Sequence, residues 1–374
     1  MPPDPSGEYA TPRGSALCRW FLRSARPLPW RHRPTPYRIW VSEVILQQTR
    51  VGSAISHYRR FVRRFPSLAS LARAPLSEVL KAWQGMGYYS RARNLHQTAR
   101  RIHQRSAGRL PRSVAELETL PGVGPYIARA IAAQAHGEPV VALEANGLRV
   151  AARWIGERGP IDSSKVRARL TEVLAGDLAH QSPGIFHEAV MELGETLCTP
   201  LAPACSACPV ASYCAVALQG IDPTTIPQRR RHSRPLHHRG SIVALYRRGR
   251  YLFQRRPPKG LLGGLWEFPG GHRRMGERPE ETARRELREE TGLVCGPLTY
   301  VGRIRHAYSH FSVELDLFEG APIPEEALTP RGRRWLTLDD ARRLPLPKAT
   351  EKALDLLEGR ASRDSGSRPG RGSS

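Results

Sequence analysis

No run of 18 apolar residues occurs anywhere in the 374-residue chain, so no segment reads as a membrane span. Lysine is nearly missing: of 58 basic residues only five are Lys, the other 53 being Arg, against 34 acids. Cysteine is scarce at six, and the opening MPPDPSGEYATPRGSAL has no apolar core of signal-peptide length. Secretion is therefore not expected, a reducing cytoplasm is the default, and disulfides are not anticipated. What is present is a globular composition, 40% hydrophobic and 25% charged, which excludes a wholly disordered chain. At roughly 150 residues per domain the length suggests two or three domains.

The net charge is +24, and its placement is uneven. Residues 51–112 hold 13 bases and a single acid, Glu78, while residues 221–240 hold five bases and one acid. Such stripes imply a polyanionic partner, nucleic acid first. A proteome-wide preference for Arg explains Arg over Lys but explains the lopsided placement less well.

Apolar residues recur at spacings of three and four in 37–50, 53–64, 88–104, 113–135 and 163–179, so residues 14–220 read as an all-α domain. Residues 221–240, with three Pro and five Arg, read as a basic linker. From 241 to 358 the runs SIVALY, RYLFQ, VGRIRHAY and FSVELDLF read as strands around one amphipathic helix at 279–291, an α+β domain. Residues 359–374, rich in Ser, Gly, Arg and Pro, read as a disordered tail. No internal repeat is found.

Four cysteines form a C-x6-C-x2-C-x5-C run, Cys198, Cys205, Cys208 and Cys214. Four thiolates on one short loop suit tetrahedral zinc or an iron–sulfur cube, although two C-x2-C knuckles, the usual zinc arrangement, are not present. About 75 residues upstream, Pro121, Gly122, Val123 and Gly124 stand between two helical stretches. Glycines there permit close backbone approach, and N–H groups at the next helix start can bind a phosphate without reading sequence; taken alone, the motif is also an ordinary turn. Glu43 lies in an apolar helical run, WVSEVILQQ. Buried and unpaired, it has a raised pKa and serves as an acid; at an exposed edge or beside an Arg, it has no such role.

These motifs resemble the endonuclease III superfamily, whose members carry a [4Fe–4S] loop of this cysteine spacing after a helix-hairpin-helix. The resemblance implies a structural [4Fe–4S] cluster on Cys198, Cys205, Cys208 and Cys214. Where bifunctional lyases of the superfamily carry a nucleophilic Lys, this chain has Tyr126, which supplies no amine for a Schiff base and favours a monofunctional glycosylase. The stretches LPWR (28–31), PYRIWVSEVILQQTRV (36–51) and GMGYYSRARNL (85–95) are similar to adenine DNA glycosylases of the MutY type, over essentially residues 20–357.

That family removes adenine opposite 8-oxoguanine from a flipped nucleotide, since the bond is inaccessible inside the stack. The resemblance makes Glu43 the proton donor to adenine N7 and places Trp30, Arg31, Leu46 and Glu188 around the base. It puts Gln48 and Tyr88 in the space left in the duplex, Thr49 and Met86 beside the oxidised guanine, and Tyr126 and Asn146 in the catalytic set. The expected partner is duplex DNA with A opposite 8-oxoguanine or G, bound by a monomer on DNA in the cytoplasm, with no membrane. The family pattern L-D-G-N-V-x-R-V appears here as LEANGLRV, so Glu144 replaces the catalytic Asp, while Ala145 and Gly147 also differ and Asn146 and Arg149 remain. One extra methylene misplaces the charge by about 1 Å, which can lower a rate on the order of 100-fold unless the backbone has shifted to compensate.

In the second domain Gly271, Glu277, Arg285, Glu286, Leu287, Glu289, Glu290, Gly292 and Leu293 satisfy the full Nudix box, G-x5-E-x7-R-E-U-x-E-E-x-G-U. Glu286, Glu289 and Glu290 share one helical face suited to a hard cation such as Mg²⁺, or simply form a solvated acidic face. In the MutY-type family a Nudix-like domain recognises 8-oxoguanine. HAYSHF (306–311) resembles its lesion-touching loop, with Tyr308, Ser309 and His310 in the Phe-Ser-His positions. A Mg²⁺-dependent nucleotide pyrophosphohydrolase, and a lesion-binding protein weakened by Glu144, are the alternatives that these features keep open.

Overall fold

The computed structural model describes residues 11–47, 49–106, 108–228, 236–258, 260–308, 311–323 and 332–366, the last six of these as backbone only. The chain divides into two compact units: Met1–Arg73 with Asn94–His232, and Ala74–Arg93 with Ser233–Ser374. The second unit thus takes in a 20-residue stretch from within the part read as helical. Among the described residues, no helix is long and apolar enough to cross a membrane.

The first part of the chain is helical: α1 (Pro12–Ser24), α2 (Pro36–Leu46), α3 (Val51–Arg64), α4 (Leu68–Arg73), α5 (Leu76–Ala82), α6 (Tyr89–Arg105), α7 (Val114–Glu118), α8 (Pro125–His136), α9 (Ala145–Ile155), α10 (Ser164–Leu178), α11 (Pro183–Thr196) and the short α12 (Ala215–Leu218). Pro at the first turn and a preceding oxygen-bearing residue start several of them. Thr11 caps α1 by accepting from the Gly14 N–H, and Thr35 caps α2 by accepting from the Arg38 N–H. The periodicity of 37–50 carries the helix too far, since α2 ends at Leu46 and Gln47 has already left helical geometry, with ψ at 117°. The apolar run 113–135 is interrupted as its glycines require, by the turn between α7 and α8. A core of Leu17, Phe21, Leu148, Trp154, Leu170, Phe186 and Leu193 joins α1, α9, α10 and α11. Asp177, buried among these helices, is held by Arg13 at 2.6 Å and by the Thr11 hydroxyl at 2.7 Å. Arg13 also lies 4.8 Å over the Trp154 ring.

The second part is a mixed sheet with helices. Its strands are β1 (Leu236–Arg247), β2 (Arg250–Arg255), β3 (Trp266–Glu267), β4 (Gly270–His272), β5 (Val294–Cys295), β6 (Thr299–Ala307), β7 (Phe311–Gly320), β8 (Pro322–Ile323) and β9 (Arg333–Leu336). Strand order in the main sheet is β3-β2-β1-β7-β6, with β9 on β2 and β4 on β1, while β5 and β8 form a separate pair. The β1–β7 pairing is parallel and runs from Leu236 against Phe311 to Leu245 against Gly320. The amphipathic helix read at 279–291 is α13 (Pro279–Thr291), followed by α14 (Leu338–Arg342) and α15 (Lys348–Gly366). The burial pattern of β1 runs to six buried residues in succession, Gly240 to Leu245, as a central strand covered on both faces demands.

Two boundaries differ from the sequence reading. β1 begins at Leu236, inside the span read as a linker, because residues 236–240 pair with the start of β7. The tail read as disordered from 359 is helical to Gly366: α15 is anchored by buried Ala353, Leu354 and Leu357, and a helix once nucleated extends at one hydrogen bond per residue. Residues 367–374 lie outside the described part.

Candidate active site

α2 explains the state of Glu43. Tyr37, Ile39, Trp40, Val41, Ser42, Glu43, Val44 and Ile45 are all buried, so the helix has no water-facing side on which a carboxylate could sit. Glu43 is 7% exposed, which removes the exposed-edge reading. Burial pushes its pKa up to about 7, helped by the neighbouring carboxylates of Glu188 and Glu144 and opposed by hydrogen bonds from Gln134 and Tyr126. Gln134 Nε2 donates to Glu43 Oε1 at 2.7 Å. His187 Nε2 lies 3.9 Å from the same oxygen, and burial drives this imidazole down to about 4, so it is neutral at pH 7.

Around Glu43 is a pocket of about 100 Å³ whose wall includes Trp30, Leu46, Tyr126, Glu144, Asn146 and Glu188. The structure therefore brings together residues from the loop before α2, from α8, from the start of α9 and from α11. Glu144 is the residue preceding α9 and makes no side-chain cap to it, which leaves the carboxylate at the pocket; burial raises its pKa. Arg31 Nε pairs with Glu188 at 2.5 Å and its Nη2 with Glu192 at 2.9 Å, while Arg26 grips Glu192 through two nitrogens at 2.6 and 2.9 Å. Glu188 is raised by its own burial against the opposing pull of Arg31. Burial also raises Glu192, but its bonds to Arg26 and Arg31 outweigh that and hold it low. Trp30 is buried edge-on to Tyr58 at 5.6 Å.

Sequence reading did not single out Gln134, His187, Arg26 or Glu192. Glu192 was findable, four residues after Glu188 and hence on the same helical face. Gln134 and His187 carried no signal, since neither stands in a motif and nothing local marks either as a partner of Glu43.

Asn146 is fixed from two sides. It donates to Glu195 at 2.7 Å and accepts from Arg149 Nη2 at 2.9 Å. The buried Arg149 also donates to the carbonyls of Gly194 at 2.7 Å and Cys198 at 2.9 Å. A Cβ on Gly194 would stand 3.0 Å from that of Asn146, so a glycine there lets α9 and α11 approach closely. Beside it, Arg153 donates to Cys198 Sγ at 3.3 Å and to the carbonyls of Thr199, Pro200 and Ile226. Cys198, Cys205, Cys208 and Cys214 are free thiols lining one cavity of about 20 Å³. Among the described residues no three His, Cys, Asp or Glu stand together closely enough to hold a single metal ion.

The glycine turn is built as a close approach. Gly122 has φ +75°, and a Cβ on it would lie 2.5 Å from Asn94 Cβ, so both its backbone and its neighbour demand glycine. Pro121 accepts from the Thr98 hydroxyl, Val123 is buried, and Gly124 precedes α8, whose first N–H groups are left open to an anion. Thr49 is half-buried and lines the pocket. Gln48 lies outside the described residues. In the second unit Tyr88 has φ +43°, an uncommon backbone for a bulky residue, and its ring faces Arg91 at 5.2 Å; Met86 is buried and does not present its side chain to solvent.

Within that unit the box carboxylates are already engaged. Arg285 pairs with Glu277 and Glu286 at 2.7 Å and with Glu289 at 3.0 Å, and Glu290 accepts from Gln254 and from the Gly270 N–H. Tyr308 stacks on Phe311 at 4.6 Å; Ser309 and His310 lie outside the described residues.

Known proteins are similar to this chain in both of its parts. The model of the HhH-GPD superfamily of base excision DNA repair proteins matches residues 41–175, and a NUDIX domain model matches residues 241–356. The human adenine DNA glycosylase is 32% identical over 93% of this chain and 74% of its own length. That of Mycobacterium tuberculosis is 38% identical over 57% of this chain and 70% of its own. A thermostable thymine-DNA glycosylase of known structure is 28% identical, over 55% of this chain and 95% of that one, with a TM-score of 0.49. With a buried acid, a second carboxylate and a helix-hairpin-helix in one helical unit and a Nudix domain following, the chain belongs to the adenine DNA glycosylases, base excision repair hydrolases of N-glycosidic bonds.

Proposed function

We propose that this glycosylase removes adenine paired with 8-oxoguanine or guanine in duplex DNA, without cutting the strand, as a monomer acting on DNA in the cytoplasm. The observation that supports it most is Glu43, a carboxyl kept protonated by burial in a pocket that a second carboxylate, Glu144, also faces. A flipped adenine needs an acid to become a leaving group, and the sugar left behind develops positive charge that an anion supports. Glu43 supplies the proton and Glu144 the negative charge. Trp30 and Leu46 offer the base apolar surface, while the Arg31–Glu188 pair gives its edge donors and an acceptor.

Tyr126 hydrogen-bonds to Glu43 and has no amine, so it cannot form a Schiff base with the sugar. Incubated with a duplex carrying A opposite 8-oxoguanine, the protein should release adenine and leave alkali-labile sites, with no complex trapped by borohydride. Strand breaks before alkali, or a trapped complex, would refute the monofunctional reading.

The pH dependence follows from Glu43. An acid works only while protonated, and a pKa near 7 keeps it so below neutrality, so the single-turnover rate should be full at pH 6 and fall as pH rises through about 7. A rate that climbs across that window would exclude Glu43 as the proton donor.

Glu144→Gln should abolish release while leaving duplex binding nearly intact, since a neutral amide cannot stabilise the developing cation. Glu144→Asp should also slow release, because Ala145 and Gly147, in the first turn of α9, are read as adjusted to the longer side chain. An Asp variant faster than the native enzyme in single turnover would show that the turn was built for Asp.

The cysteine loop fits a [4Fe–4S] cluster: four free thiols face one cavity, and Arg153 donates to Cys198 Sγ. Bound there, the cluster would brace the loop that Arg149 and Arg153 grasp; no step of the reaction passes through it. Purified protein should contain iron and acid-labile sulfide near four of each per chain, and Cys205→Ser should lower the folded yield more than Cys295→Ser. Stoichiometric zinc without visible absorbance would overturn the assignment.

Mg²⁺ at Glu286, Glu289 and Glu290 would have to compete with Arg285 for Glu286 and Glu289, and with Gln254 and the Gly270 N–H for Glu290. We therefore derive no nucleotide hydrolysis from the box. The second unit is read as the lesion-recognition part, with Tyr308, Ser309 and His310 at its reading loop.

A further inference from the structure

We propose that Gln134 is a positioning residue for the acid: by donating to Oε1 of Glu43 it places the transferable proton on Oε2. This rests on the reading of Glu43 as the proton donor and goes beyond it, because it names the oxygen from which the proton leaves. A protonated carboxyl has one carbonyl oxygen and one hydroxyl, and the carbonyl oxygen is the better acceptor. The Gln134 amide N–H, 2.7 Å from Oε1, therefore stabilises the form in which Oε1 is the carbonyl and Oε2 carries hydrogen.

The other groups facing Glu43 do not make this choice. From α8, the Tyr126 hydroxyl both donates and accepts, so it accommodates a proton on either oxygen. From α11, His187 Nε2 at 3.9 Å is beyond hydrogen-bond reach, and the ring is neutral. Glu188 from α11 and Glu144 ahead of α9 act on Glu43 through charge alone, which favours the protonated state without selecting an oxygen. Among the described residues, the Gln134 amide is the group whose N–H is directed at a single oxygen of Glu43, Oε1.

The same bond assists the chemistry. As the proton passes from Oε2 to the ring nitrogen, the carbon–nitrogen bond breaks, its electron pair leaves with the adenine, and Glu43 becomes a carboxylate. A hydrogen bond to a charged acceptor is roughly twice as strong as one to a neutral acceptor. The Gln134 bond therefore strengthens as the barrier is crossed, which is the condition for an interaction to accelerate a step rather than only bind.

The test compares full-length native protein with Gln134→Leu, which removes the donor, and Gln134→Glu, which keeps size and shape but replaces donor by acceptor. Infrared difference titration of the Glu43 carboxyl band, assigned by its loss in Glu43→Gln, reads ionisation without any turnover. Single-turnover release against pH reads the chemistry, and duplex affinity reads binding. In Gln134→Leu the midpoint should rise by about one pH unit, since a hydrogen bond favouring the charged form is lost. The limiting rate should fall at least tenfold, with duplex affinity unchanged. Gln134→Glu should raise the midpoint further and lose as much rate. A rate loss with unmoved midpoint would show a merely structural role and overturn the proposal, as would a moved midpoint at full rate. Should the native protein release no adenine, the glycosylase reading fails, and the infrared midpoints still decide whether Gln134 holds Glu43.

Discussion

Everything in the helical unit's pocket depends on one carboxyl that is almost wholly withdrawn from water. α2 is apolar on every side, so it can exist only at the centre of a bundle, and Glu43 goes where the helix goes. Holding its pKa near 7 instead of the ordinary 4.5 means that ionising it in place costs about 3 kcal/mol more than in water. The surrounding helices answer with a small set of polar groups, Tyr126, Gln134, Glu144 and Glu188, which settle its protonation within catalytic range. A lone buried carboxyl would simply stay neutral; hydrogen bonds from Gln134 and Tyr126 bring this one back to a pKa of about 7 against its burial and its acidic neighbours.

The charges around it are organised so that few are free to move. Arg31 bridges Glu188 and Glu192, and Arg26 doubles the hold on Glu192. Arg149 ties Asn146, next to Glu144, to the carbonyl of Cys198, and Arg153 reaches the same cysteine. The cysteine loop and the carboxylate turn are thus two ends of one hydrogen-bonded assembly built on α9. In the second unit Arg285 plays a comparable part: it gathers Glu277, Glu286 and Glu289 into an ion cluster that holds the box helix to the glycine strand before it. A motif suited to a cation is here satisfied by a guanidinium.

Much was legible before any coordinates. Four cysteines at family spacing, Pro121 to Gly124 between two periodic stretches, and the nine box positions are local patterns, and α13 falls on the predicted residues 279–291 because its capping and periodicity are contained in thirteen residues. The tail was misread because composition argues for disorder while Ala353, Leu354 and Leu357, upstream of it, anchor the helix that continues through it. The start of β1 was misread because its partner, β7, lies about 75 residues away.

The sequence by itself determined the two-part order, the family, the four-cysteine loop and two candidate carboxylates, since each is carried by residue types at short fixed spacings. It left open whether Glu43 faced water, because period alone does not say how many sides of a helix are covered. The tertiary structure decided that, along with the partners of Glu43: Gln134 is 91 residues away in sequence and His187 farther still, and nothing local marks either. It also decided that Glu277, Glu286 and Glu289 face Arg285, while Glu290 turns to Gln254 and the Gly270 N–H. Proton affinity is set by what surrounds a group in space, and only the packing of α2 against α8 and α11 brings those surroundings together.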